Sequence, residues 1–580
     1  MTTIHTDDRS STSPDFEEDE EHTGETPVGR RYLLLGLIGL SAAACRPGRP
    51  TPPTPTASPG PTASPSASPT ASVTPSGSAS PTPSPTADPT ATPTPEAPPG
   101  PLATVLSQDQ ELHVLRRATF GPTPTLVADI QEQGIESWLD RQLNPSSIGD
   151  GLVDDLLKRF SALNWTAKQI YETAPEDGGD YAADLNMVEA TIVRNVWSNR
   201  QLLEKVVEFW TNHFSVPVPN NDDSWGRKTV EDREVIRRLA FGNFTDLLIA
   251  DAKSPAMLRY LNNEGSRGED TNENYGRELL ELHTVGLDAG YTEDDVKNAA
   301  KTLTGFTINY DTATFQFRPD WHYVGPVKVL DWASLNDSPE GGLEVGESLL
   351  SYLASHPSTL RHIATKLARH FVSDVPSESL VDKLTRAFVA NDNQIAPVIR
   401  TLFLSEEFQA SIGQKVRRPL ESLTAAMRVL DFQPESKLLD NTEDRSLYYT
   451  AERLGQKPMG WQPPNGYPDV MGYWLSSARF SATWNGNHDL VYGGFEGHVT
   501  TPQEVFDQLL DVTTPTTAGA VLDRLVARLL FQEITPQTRA TLLESTDQAE
   551  NAEVTSQEQV RNRLQSYTRA IFDSPHFLQR

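Results

Sequence analysis

Asn272-Glu273-Asn274-Tyr275-Gly276-Arg277-Glu278-Leu279-Leu280-Glu281-Leu282-His283-Thr284-Val285-Gly286 is the stretch from which the rest of the chain is best read. At 100° per residue, Asn274, Arg277, Glu278 and Glu281 share one arc of a helix. Tyr275, Leu279, Leu280, Leu282 and His283 take the opposite side, the usual amphipathic division. A polar loop over residues 262–271 leads in, and Gly286 is placed to close the helix as its C-cap. Its chemistry is a carboxylate-rich face and little else.

The helical period continues in both directions. Upstream, Leu202, Leu203, Val206, Val207, Trp210 and Phe214 make a strong 3.6-residue stripe, and a second run covers 229–250. Leu126, Ile130, Ile135, Trp138, Leu139 and Leu143 suit two short helices broken at Gly134. Downstream, Thr292-Glu293-Asp294-Asp295 caps a helix through Leu303 with acids in its first turn. The period then changes. Phe315 and Phe317 alternate, a turn follows over 320–326, and Val327 and Val329 alternate again, which predicts a hairpin. Helices resume at 349–353, 358–372, 379–389, 395–403 and 418–430. A Gly-, Pro- and aromatic-rich loop covers 460–487, and helices follow at 503–510, 518–531, 537–543 and 558–572.

The fold class expected is mainly α: a multi-helical body with one small β-hairpin near 313–330 and a duplicated helical module in the C-terminal half. The duplication rests on Lys366-Leu-Ala-Arg-His-Phe…Pro376, echoed by Leu525-Val-Ala-Arg-Leu-Leu…Pro536. Each is followed by a Ser-x-x-Phe tag, at 405–408 and 574–577. A body over 109–580, with subdomains at 109–345 and 346–580, fits a length too great for one ordinary core.

What precedes the body reads as an address. Residues 1–28 are acidic and polar, a composition expected to be disordered. Arg30-Arg31 and the apolar run of residues 32–44 fit a signal peptide of twin-arginine type, since thirteen residues are too few for a span of about 20. The run ends at Ser41-Ala42-Ala43-Ala44-Cys45, similar to a bacterial lipobox, so Cys45 is the expected lipidation site over a signal region of 29–45. A Pro/Thr/Ser-rich linker at 46–108 cannot bury a core. Its first 55 residues reach ~170 Å at ~3.1 Å each if fully extended. The expected location is extracytoplasmic, anchored to the cell membrane by an N-terminal lipid.

Charge narrows the partners. The net charge is −30. Up to residue 45 there are nine acids and three bases, and over 46–100 two of each, which leaves −24 to the remainder. A body so acidic repels phosphate backbones, so nucleic acid is not an expected partner. One cysteine excludes an internal disulfide framework.

Several blocks together resemble the domain-of-unknown-function family 1800. They are Leu112-His113-Val114-Leu115-Arg116-Arg117-Ala118-Thr119-Phe120-Gly121-Pro122, Phe209-Trp210-Thr211-Asn212-His213-Phe214 and the opening stretch. Tyr291-Thr292…Leu303-Thr304-Gly305, His322…Gly325…Lys328, Gly455-Gln456 and Pro463-Pro464…Gly466-Tyr467-Pro468…Trp474 complete the set. The resemblance covers most of residues 109–580 and implies a mostly helical, often exported bacterial protein without an established activity. The chain departs from that pattern where the family carries an aromatic at His283, an Asp at Tyr323, and Trp at Phe306 and Tyr467.

Within those blocks the chemistry-bearing residues are few. Glu278 and Glu281 are neighbours three apart. With His213 or His322 they form a candidate set for a divalent metal, and His322 and Glu278 are the catalytic candidates. Against that, Arg277 can pair with Glu281 at i,i+4. His322 lies in the expected turn, where side chains often carry function. His113, His283 and His370 read as packing or hydrogen-bonded core residues. Trp461, Tyr467, Trp474 and Trp484 in the long loop could stack on a sugar or a partner chain. Two readings follow: a lipid-anchored envelope protein that binds a protein or glycan partner, or a metal-assisted hydrolase built on the His/Glu set.

Overall fold

The computed structural model describes residues 104–173, 182–218, 227–435, 446–495, 499, 506 and 514–580. The N-region, the signal region with Cys45, nearly all of the linker and most of the expected helix at 503–510 lie outside the described residues.

The body is mainly helical with small two-stranded sheets. The quoted stretch folds as Asn274–Glu278, passing without a break into a π-helical turn over Leu279–His283. Gly286 N–H closes it on the Leu280 carbonyl at 2.9 Å. The next helix, Glu293–Thr302, begins with a full capping box between Thr292 and Asp295. The two helices meet at Gly276, where a Cβ would stand 2.7 Å from Val296 O and Ala300 N. Only glycine permits that approach.

The β structure differs from the expectation. Phe306–Asn309 pairs antiparallel with Thr314–Phe317, and Val327–Val329 pairs with Trp332–Ser334. The single hairpin joining Phe315 and Phe317 to Val327 and Val329 is therefore two hairpins. Period-2 alternation identifies strands but not their partners, and here each strand takes the neighbour reached through the shorter turn. In the first turn the Asn309 Oδ1 accepts from Asp311 and Thr312 N–H, an Asx turn. A third pair, Thr516–Thr517 with Glu553–Val554, lies between the late helices.

Two hydrophobic cores organise the body. One joins Trp138, Trp210, Phe244, Leu279 and Phe306 to Leu350, Phe371, Phe388 and Phe403. The other joins Phe160, Met187 and Val193 to Met427, Leu447, Leu490, Leu525 and Phe572. Each draws on both sides of residue 345, so the cores do not divide where the expected subdomains do. The C-terminal half contains the same succession twice. Pro357–Phe371, Glu378–Ala390, Ile395–Phe403 and Glu406–Gln409 are matched by Ala518–Leu530, Pro536–Ser545, Gln557–Phe572 and Pro575–Leu578. The chain just beyond each module meets the other: Val416 bridges Gln579, and Arg417 N–H donates to Leu578 O.

Candidate functional site

The expected metal set is dispersed. His322 is buried between the hairpins, where its Nδ1 lies 2.9 Å from Thr304 O and its Nε2 2.8 Å from Asn336 Oδ1. It fastens the chain before the first hairpin to the chain after the second. Glu278 and Glu281 stay on the partly exposed face. Burial and Glu281 raise the Glu278 carboxyl, and burial, then Glu278, raises the Tyr260 hydroxyl. Arg277 does not close on Glu281. It forms a two-pronged ion pair with Glu293, at 2.9 and 2.8 Å, and a longer one with Glu273. The π-helical turn after Glu278 breaks the i,i+4 register, and the fork geometry of guanidinium with carboxylate favours Glu293. Among the described residues, no three His, Cys, Asp or Glu side chains gather as a metal group.

His213 instead faces a cavity of about 230 Å³. Three elements build it. The Gln201–His213 helix supplies Phe209, Asn212 and His213 at spacing i, i+3, i+4 from its last turn. Pro357–Phe371 supplies Lys366, Arg369 and His370 at the same spacing, hence from one face. The 465–469 loop folds over both, with Arg418 beside it. That loop is locked by Gly466, whose φ is +71° and whose added Cβ would stand 2.1 Å from Asn212 O. Tyr467 N–H adds a long contact of 3.4 Å to Asn212 Oδ1.

One wall is a closed charge network. Asp469 accepts from His370 Nδ1 at 2.6 Å and from Lys415 Nζ at 3.0 Å, and Lys415 also reaches Asp374 at 2.8 Å. Burial alone would raise the Asp469 carboxyl, but Lys415, His370 and Arg418 together hold it well below the usual carboxylate range. Arg418 is spent on Glu208 and Glu421. Burial drives the His370 imidazole down to about 4 against the pull of Asp469, so the ring is neutral at pH 7, with Nδ1–H on Asp469. Among the described residues its buried Nε2 has no hydrogen-bond partner.

The other wall forms no ion pair among the described residues, and Asp469 acts on Lys366 only at longer range. Lys366 Nζ donates to His213 Nδ1 at 2.8 Å, and His213 Nε2–H donates to the His283 carbonyl at 3.2 Å. Both imidazole nitrogens of His213 are thereby engaged. Burial, then Lys366, holds that ring well below its ordinary value. Burial and the neighbouring Arg369 bring Lys366 down to about 8. Arg369 donates to the Asp374 carbonyl, a neutral acceptor, at 3.2 Å. Among the described residues, neither Lys366 nor Arg369 has a carboxylate within 4.0 Å.

Aromatic residues continue the loop side. Trp461 lies 5.3 Å from Tyr467, ring to ring, and donates from its indole to Asn465 Oδ1; Tyr467 lies 5.8 Å from Trp474. Arg479 stacks over Trp474 at 4.8 Å. Trp461 and Tyr467 are half-buried and Trp474 is buried. Trp484 is apart from this group, exposed and packed against Phe480 and Arg569.

Of the sequence candidates, then, His213 and Tyr467 line the cavity, with Trp461 and Trp474 behind them. Lys366, Arg369 and Asp469 were not foreseen. The signal for the first two is the Lys-x-x-Arg-His spacing of 366–370, which puts all three cationic or titratable groups on one helical face.

A family model described as a protein of unknown function, DUF1800, matches residues 113–579. No curated protein and no solved structure matches the chain.

Proposed function

The chain belongs to the DUF1800 family, and we propose that it binds a small acidic ligand in the pocket beneath the 465–469 loop. The observation that supports this is the pair Lys366 and Arg369: two cations on one helical face that, among the described residues, make no ion pair, in a chain whose net charge is −30. Two cations without an ion-pair partner in a partly buried cavity are costly unless an anion neutralises them. The ring of Tyr467 in the cavity lining, backed by Trp461, suits the face of a sugar ring. An acidic sugar, from a glycan or free, meets both requirements. As part of the same reading we keep the chain outside the cytoplasm, tethered through a lipid on Cys45.

Thermal unfolding of the full chain with glucuronate, glucose 6-phosphate and neutral glucose tests the pocket. Glucuronate or the sugar phosphate should raise Tm in a concentration-dependent way, and glucose should not; which acid prevails separates carboxylate from phosphate. Equal effects of all three, or none, would defeat the reading. The tether is tested by Cys45→Ala, which should move the protein from the membrane fraction to the soluble one; unchanged membrane association would refute it.

A further inference from the structure

Resting on that reading of the pocket, we propose that Lys366 is a nucleophilic amine that condenses with the carbonyl of an acidic carbonyl compound, a 2-oxo acid, to form an imine. Three features of the cavity carry this. Lys366 lines the cavity, and its Nζ hydrogen bond goes to a neutral imidazole nitrogen, His213 Nδ1 at 2.8 Å, rather than to a carboxylate. An ion pair would hold the amine protonated; this contact does not. Second, Arg369 stands one helical turn away on the same face and offers an anion-binding fork beside the amine. In a 2-oxo acid the carboxylate adjoins the carbonyl carbon, so a carboxylate held at Arg369 brings that carbon to Lys366. Third, His213 is anchored by the His283 carbonyl at Nε2, which keeps its Nδ1 lone pair directed at the amine.

The lowered basicity of Lys366, to about 8 through burial and Arg369, supplies an appreciable neutral fraction near neutral pH. The chemistry balances without any further reagent. The neutral Nζ forms the C–N bond while the carbonyl π pair moves to oxygen, and one N–H proton passes through His213 Nδ1 to that oxygen, giving a neutral carbinolamine. The nitrogen lone pair then closes the C=N bond as the hydroxyl leaves. The second N–H proton passes through His213 Nδ1 to the departing hydroxide, which leaves as water. Amine and carbonyl become imine and water.

The experiment is reductive trapping on the full chain. Pyruvate is added with cyanoborohydride and the adducts are located by peptide mass mapping, with lactate, which keeps the carboxylate and lacks the carbonyl, as competitor. We expect one dominant adduct on Lys366, saturating with pyruvate, suppressed by lactate and absent from Lys366→Arg. His213→Gln should slow trapping at least tenfold at saturating pyruvate, where any change in binding no longer limits the rate. If lactate and pyruvate both raise Tm but adducts are missing, or are scattered over surface lysines regardless of lactate, the imine inference falls and the acidic-ligand pocket stands. If neither compound raises Tm and no adduct forms while glucuronate still raises Tm, the 2-oxo-acid inference falls and the pocket stands; if glucuronate fails as well, the pocket reading fails and takes the inference with it.

Discussion

Lys366 and His283 show how much an interior residue's neighbours decide. An amine brought down to about 8 by burial and Arg369 is charged in both folded and unfolded chains at pH 7, so its burial is then a full penalty. Between pH 8 and its unfolded value of 10.5 the unfolded chain binds the extra proton, so the penalty is relieved as pH rises. Lys366→Met should therefore be more stable than the parent at pH 7 in denaturant titrations, with an advantage that shrinks toward pH 10. His283 is fully buried and packs against Phe214 and Tyr275, and among the described residues neither ring nitrogen is hydrogen-bonded. Burial, then Lys366, takes it down to about 3. Below pH 6.5 the unfolded chain protonates this ring and the folded one does not, so stability is lost as pH falls toward 3. His283→Phe keeps the ring and removes the orphaned nitrogens, each costing ~1–3 kcal/mol when unsatisfied. Urea titrations should find it more stable, by a margin that grows from pH 7 to pH 5. A margin independent of pH would contradict the assignment.

At the scale of elements, the pocket depends on a loop held by one glycine. Gly466→Ala places a methyl group against Asn212 O in a backbone conformation that disfavours it. The expected result is lost protection of the 465–469 amides in hydrogen exchange and weakened ligand binding, with the fold retained. Gly276→Ala should do the reverse, lowering global stability by separating the opening helix from Glu293–Thr302 while leaving the pocket loop protected. The helices themselves were legible from period and caps. Ile395–Phe403 falls where its apolar spacing puts it, and Thr292 begins its helix as a cap. Strand partners were not, because Phe315 and Val327 alternate alike whichever neighbour they join. The site was half legible. His213 stood out as a histidine in a motif, but the choice of Lys366 over Glu278 as its companion is a tertiary fact. It depends on which helix face crosses the Gln201–His213 terminus, and helical spacing alone does not contain that. His370 likewise reads as packing until Asp469, 99 residues on, meets its Nδ1.

For the whole molecule, the two cores interleave across the chain. Every residue of Pro419–Leu430 is buried, and this helix ties the second core to the first through Gly121, which approaches Ala425. Fragments cut after residue 345 should therefore fail to fold separately, seen as low helicity by circular dichroism, and a cooperatively folding 104–345 fragment would contradict the interleaving. The same crossing brings Lys366 and Arg369 from one module against His213 from the N-terminal half, so the pocket exists only in the assembled body. Its charge runs against that of the molecule, a small cationic recess in a body of strong negative charge. The direct test is calorimetric titration of the full chain with glucuronate, for the parent and for Lys366→Gln and Arg369→Gln. Each charged hydrogen bond is worth ~1.5–3 kcal/mol, so either variant should bind about tenfold or more weakly. Unaltered affinity in both would show that the ligand, if one binds, is not held by this pair.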